Sequence, residues 1–377
     1  MTRAARIAAL SLWTISGLGS ATRAARGQVD LELKDPVDAF PAIAPAGVLE
    51  GHGKFVFSVA FSPDGKLLAT AGEDTAAVWD AANGRRLRTL NPGETHPPGA
   101  HAVAFAPDGK TLAVGGYVGH VSFYDPKTGK LKGTFDEASL ASPRLAYTPD
   151  GSVLVVGHDQ AAVMLYDVKA GKRLDTLKPT KGASLHGFDL SGDGKTLALI
   201  TADEASFWDL PTRKLRKAIG HDAPDATTDF AAVACSPAAP LAAVSGGKAL
   251  NHRTTFINLK TLRPTGELVF EPGPLPNMST EPTIKVLRFS PDGRVLASGP
   301  SAGVHDRTPV SLWDVATGQR LGALAGSTKG ITEVVFSADG RRVAASSFDN
   351  LVRVWDLPGD GAKVKGKAKA KAKRPRR

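Results

Sequence analysis

The residues that could do chemistry in this chain are few and scattered. It has nine histidines, and His120, His158, His186 and His305 keep none of the spacings that bring two ligands to one metal. The single cysteine, Cys235, can form no internal disulfide. It sits in the small apolar run Ala232-Val233-Ala234-Cys235-Ser236, where a buried thiol packs and a reactive one would need exposure and a cationic neighbour. No nucleophile elbow, phosphate-cradling glycine loop or two-histidine metal helix is present. Aspartates recur in Pro-Asp-Gly, but each belongs to its own repeat and they cannot converge as the adjacent ligands of one calcium loop do. The sequence therefore points to no catalytic residue, no cofactor and no metal.

Those aspartates belong to a repeated element. An alternating apolar strand meets a tight turn, a small-residue strand follows, and the unit ends on an aromatic–aspartate pair. The first copy reads Val59-Ala60-Phe61-Ser62-Pro63-Asp64-Gly65-Lys66-Leu67-Leu68-Ala69-Thr70-Ala71-Gly72 and closes on Trp79-Asp80. Proline presets φ, aspartate tolerates the next position and glycine allows the exit. The turn returns as Pro107-Asp108-Gly109, Pro149-Asp150-Gly151, Gly192-Asp193-Gly194, Pro291-Asp292-Gly293 and Ala338-Asp339-Gly340, and degrades to Pro237-Ala238-Ala239 in the fifth copy. The closing pair returns as Tyr124-Asp125, Tyr166-Asp167, Trp208-Asp209, Trp313-Asp314 and Trp355-Asp356, with Ile257-Asn258 in the fifth copy. Seven copies result, 42 to 56 residues apart, and four short strands fit each period.

The chain resembles the WD-repeat (WD40) family over about residues 46–359. The resemblance implies an all-β, seven-bladed β-propeller of four-stranded antiparallel blades that binds proteins without catalysis. The family's Gly-His pair survives only at Gly51-His52 and Gly220-His221. Its turn aspartate is clear at Asp349 and one place out at Asp74 and Asp203, and the loss of these structural groups implies softer blades. The seventh copy ends after its third strand, leaving an edge to be paired. Residues 46–50, Ala46-Gly47-Val48-Leu49-Glu50, are expected to supply the fourth strand.

If the strands of a blade are lettered a to d, the a–b and c–d turns lie on one face and the b–c and d–a loops on the other. The long insertions, 245–254, 271–283 and 299–309, all fall on the second face in the sector of blades five and six. They carry the candidate partner-binding residues Asn251, His252, Arg253, Glu271, Met278, His305, Asp306 and Arg307.

The net charge of +10 belongs to the chain ends, since residues 1–28 carry four arginines and no acid and residues 362–377 carry nine cations and no acid. Residues 29–361 are then close to neutral. Residues 1–27 read as a signal peptide, with Arg3 and Arg6 before the thirteen-residue uncharged run Ile7 to Gly19. Export to a periplasmic or extracellular space is expected, with a cytoplasmic location as the alternative. Residues 28–45, with Pro36, Pro41 and Pro45, read as a linker. Residues 360–377 read as a disordered basic tail carrying Lys363, Lys365, Lys367, Lys369, Lys371, Lys373, Arg374, Arg376 and Arg377. No run is long enough for a transmembrane span, and a monomer is expected.

Three functions compete: an exported protein-interaction scaffold, a nucleic-acid or polyanion binder acting through the tail, and a propeller enzyme, which lacks a converging polar cluster. The tail has no aromatic or base-reading group, so any attraction it supplies is electrostatic and indifferent to sequence. Comparing the full chain with one ending at Asp360, on DNA and on anionic vesicles, should show binding that depends on the tail and falls steeply with salt. Equal binding by both forms excludes a role for it.

Overall fold

In the computed structural model the described residues are 42–91, 99–116, 120–136, 144–158, 160, 162–220, 229–247, 253–269, 284–300 and 309–358. They fold into seven antiparallel sheets in chain order around a central channel. Strand a of blade one is Val56–Phe61, followed by Leu67–Gly72, Ala76–Asp80 and Arg86–Leu90. The same four-strand order recurs through blade six, whose strands are Ile284–Phe289, Val295–Pro300, Val310–Asp314 and Arg320–Leu324.

The turns form as their residues dictate. Gly65, Gly109, Gly151, Gly194, Gly293 and Gly340 all adopt φ between 67 and 71°, a region that side chains with a Cβ rarely occupy. The Ser62 hydroxyl donates to Asp64 Oδ1 at 2.6 Å, and that oxygen accepts the Lys66 N–H at 3.1 Å. Equivalent bonds hold Asp150, Asp193, Asp292 and Asp339. Gly192 replaces the proline for a different reason. A Cβ there would lie 1.9 Å from the Pro237 carbonyl oxygen, because the fifth copy's irregular turn crowds it.

The closing pairs are structural. The carboxylates of Asp80, Asp125, Asp167, Asp209 and Asp314 accept backbone N–H groups of the c–d turn, as at Ala82 (2.8 Å) and Thr128 (2.8 Å). Asp356 has no c–d turn after it and takes the Arg342 guanidinium at 3.1 Å. The aromatic rings of Trp79, Tyr124, Tyr166, Trp208, Trp313 and Trp355 are buried between blades.

There is no single core. Seven apolar clusters form among the described residues, one at each blade interface, from the opposed faces of neighbouring blades, with fourth-strand leucines such as Leu49 and Leu90 joining them. Each blade is thus stabilised mainly by its neighbours, as in repeat proteins generally.

Blade seven consists of Ile331–Phe336, Arg342–Ser347 and Val352–Asp356, and Gly47–Leu49 adds its fourth strand. The register pairs Gly47 with Val354, Val48 with Arg353 and Leu49 with Val352, antiparallel as expected. The segment taken as a linker reaches further into the fold. Its residues Ala42–Ile43 pair in parallel with Ala323 and Leu324, giving blade six a fifth, outer strand. A two-residue parallel pairing has no periodicity by which a sequence could announce it.

Leu49 is 2% exposed and packs in the cluster between blades seven and one, whereas Val48 points outward. Leu49→Ala should therefore cost about 2–5 kcal/mol in chemical denaturation. Val48→Ala should stay within about 0.5 kcal/mol. Equal effects would mean that closure does not depend on this packing.

Candidate functional site at the channel mouth

Strands a line the channel, and one irregularity decides which residues face it. The a–b ladders of blades one, two, four, five, six and seven each carry a bulge one or two residues into strand a. The skipped residues are Phe57, His101, His186, Ala231, Lys285 and Thr332, and all six line a cavity of about 520 Å³. A bulge leaves its extra residue unpaired and re-aims it, here into the channel mouth on the face of the b–c and d–a loops.

Around this mouth, blades seven, one and two assemble an aromatic rim. Phe57 stacks on His101 with ring centroids 4.4 Å apart and planes at 12°. Phe348, in the b–c turn of blade seven, stands edge-on to Phe55 at 5.3 Å and to Phe57 at 6.4 Å. Lys329 Nζ lies 5.9 Å from the Phe55 centroid, within range of a cation–π attraction. Phe55 remains 39% exposed.

The turn that presents Phe55 is held by a buried relay. Trp79 Nε1–H donates to Thr70 Oγ1 at 2.8 Å, and Thr70 meets His52 Nε2 at 2.7 Å. His52 Nδ1 meets Asp74 Oδ1 at 2.9 Å. The other oxygen of Asp74 accepts the Gly53 N–H at 2.8 Å. Asp74, one place out in sequence, thus takes the expected role. In blade four the carboxylate in position is Glu204 and not Asp203; it accepts the Thr180 N–H at 2.9 Å. Blade seven has no histidine, and buried Arg353 instead meets Asp349 at 2.8 Å. The missing histidine is therefore replaced there, not merely lost.

Deeper in the channel Arg288 links two acids, with Nη1 3.4 Å from Asp189 and Nη2 3.6 Å from Glu333. Burial lowers the Arg288 pKa, but these two carboxylates outweigh it and hold the pKa above the usual arginine value. Asp189 Oδ2 also accepts the Cys235 N–H of blade five at 2.8 Å. Glu333 Oε2 accepts the Val59 N–H of blade one at 3.0 Å. Cys235 itself is buried, and burial pushes its thiol well above the usual range, which suits a packing role. Among the described residues no cluster of His, Cys, Asp or Glu could hold a metal. No helix among them is long and apolar enough to cross a membrane.

The candidate loop residues Asn251, His252, Glu271, Met278, His305, Asp306 and Arg307 lie outside the described residues, as does the basic tail. Arg253 begins strand c of blade five, opposite Gly246 and Val269. The aromatic rim was not among the sequence candidates. Phe55 and Phe57 come from blade one, His101 from blade two and Phe348 from blade seven, and the only signal was the departure of Phe57 and His101 from the alternation of their strands.

Burial holds the His52 pKa below its ordinary value, against the pull of Asp74 and with Arg86 assisting. The folded state therefore favours neutral His52. Its contribution to stability is complete above the unfolded pKa of about 6.5 and declines as pH falls through that value. The melting temperature should drop between about pH 6.5 and 5, and His52→Gln should be less stable but lack this component. An identical pH profile in the variant would show that His52 is not the titrating group.

The family model described as WD domain, G-beta repeat matches residues 44–80 and 318–356, the two stretches flanking the closure. Curated relatives include the small ribosomal subunit protein RACK1z of Oryza sativa subsp. japonica, 52% identical over 46 residues, which are 12% of this chain and 14% of that protein. Protein Mut11 of Chlamydomonas reinhardtii is 40% identical over 17% of this chain and 20% of its own. WD repeat-containing protein 1 of Xenopus tropicalis is 35% identical over 21% of this chain and 13% of its own. The chain thus matches no more than about a fifth of the length of these relatives. The chain carries seven tandem copies of the repeat in seven four-stranded blades, and the stretches that meet at the ring closure are those similar to the WD40-repeat family.

Proposed function

We propose that this propeller is a non-catalytic protein-interaction scaffold, that it engages its partner over the face bearing the channel mouth, and that it acts after export. The observation that carries this reading is the aromatic rim of Phe55, Phe57, His101 and Phe348 with Lys329 above it. Aromatic side chains held on a rigid frame lose little entropy on binding and are typical anchors of interfaces. The long loops of blades five and six leave the propeller on the same face, so one partner could touch both sectors. Similarity to the WD40-repeat family, whose propellers bind protein partners, supports the same reading. The basic tail would add a salt-sensitive attraction to anionic surfaces, and the near-neutral body counts against a propeller face that binds nucleic acid by charge.

Purification of the tagged chain with mass spectrometry should identify a partner that is retained by wild type and lost by Phe55→Ala with Lys329→Ala, at little cost in melting temperature. The quadruple change His252→Ala, Arg253→Ala, His305→Ala and Arg307→Ala tests the loop sector in the same way. Capture unaffected by either set would place recognition elsewhere. N-terminal sequencing of the purified protein should start between about residues 22 and 29, and a start at Met1 or Thr2 removes export from the reading.

A further inference from the structure

The channel below the aromatic rim is unevenly charged. Its described charged groups are Arg144, Asp189, Lys285, Arg288 and Glu333, with His101 and His186 nearby. Both acids are already engaged. Arg288 bridges them, and each also accepts a backbone N–H from the next blade. The side chains of Arg144 and Lys285 have neither a hydrogen bond nor an ion pair among the described residues. They rise from blades three and six, which lie on opposite sides of a seven-membered ring, and both line the same cavity of about 520 Å³. The channel's three cations thus outnumber its two carboxylates by one, and neither Arg144 nor Lys285 has a carboxylate in direct contact.

Arg144 feels this arrangement. Its depth in the protein lowers its pKa; Glu333 opposes the effect and the like charge of Arg288 adds to it. The side chain is nevertheless open to solvent through the channel mouth, so an incoming group can reach it. A guanidinium presents a planar fork of N–H donors that fits the two oxygens of a carboxylate or phosphate. A charged, confined channel also concentrates counter-ions of the opposite sign.

We propose that the upper channel is a binding site for one compact oxyanion, a carboxylate or a phosphate, held by Arg144 and Lys285. The group arrives either as a free anion or as the acidic side chain of a bound protein. Arg288 is not the primary ligand, because its charge is already matched by Asp189 and Glu333. This site goes beyond the scaffold reading and does not depend on it, since Phe55→Ala with Lys329→Ala should leave anion binding unchanged.

The test is calorimetric titration of the full-length chain with inorganic phosphate, with citrate and with the peptide acetyl-Gly-Gly-Glu-Gly-Gly-amide, at constant ionic strength. Wild type should bind at least one probe with one-to-one saturation. Arg144→Gln and Lys285→Gln should each weaken that binding by about tenfold or more, the scale expected for losing one charged hydrogen-bond partner. The basic tail is the same in all three proteins and cannot produce the difference. In chloride buffer Arg144→Gln should melt no lower than wild type, because it removes an unpaired cation, and the rise in melting temperature produced by the anion should vanish. A purely structural arginine would give the opposite pattern. Should Arg144→Gln fail to fold, Lys285→Gln carries the test from a solvent-exposed position. Binding of citrate or phosphate alone assigns a free anion, and binding of the peptide assigns a partner's acidic side chain. No saturable binding by wild type, or wild-type affinity in both variants, overturns the proposal.

Discussion

A propeller stands or falls on the pairing that closes its ring. Here that pairing is three residues long, with Gly47, Val48 and Leu49 against Val354, Arg353 and Val352. Without it strand c of blade seven would expose an unpaired edge, and the interface between blades seven and one would lose Leu49. Because every blade buries its apolar faces against its neighbours, a gap at one interface withdraws support from two blades at once. The parallel pairing of Ala42–Ile43 with blade six extends the closure across a second blade. Residues 42–49 thus touch two blades before strand a of blade one starts.

The closing strand also sets the site. It leads directly into Gly51-His52, and the relay from Trp79 through Thr70 and His52 to Asp74 fixes the turn on which Phe55 stands. One residue into strand a the bulge turns Phe57 into the channel, where it stacks on His101 of the next blade. Apolar interfaces and a polar channel can therefore coexist on the same strands. The regular part of strand a packs between blades, and the bulged residue is released from that duty.

Inside the channel, charge ties blades together. Arg288 of blade six holds Asp189 of blade four and Glu333 of blade seven, and those acids accept N–H groups of blades five and one. Five of the seven blades are linked in this way. Removing either acid would leave Arg288 with a single carboxylate and would deprive a backbone N–H of the neighbouring blade of its acceptor. Arg144 of blade three stands outside the network, and so its charge faces the cavity.

Much of this was legible in the sequence because it depends on local physics. Pro-Asp-Gly turns, strands of small alternating residues and closing aromatic–aspartate pairs each report the backbone conformation of a few adjacent residues, and their recurrence determined the blade count. The unpaired edge of the seventh copy even pointed to residues 46–50 as its partner. What the tertiary structure decided is everything that depends on which residues meet across blades. The rim of Phe55, Phe57, His101 and Phe348 combines positions far apart in the chain, the bulges that aim Phe57, His101 and Lys285 leave little trace in an alternating pattern, and Gly192 is required by the distant Pro237 carbonyl. Glu204, and not Asp203, faces Thr180 because only the fold sets the register there. Sequence spacing encodes contacts within a strand or turn, whereas contacts between blades arise from the rotation about the channel, which no spacing records.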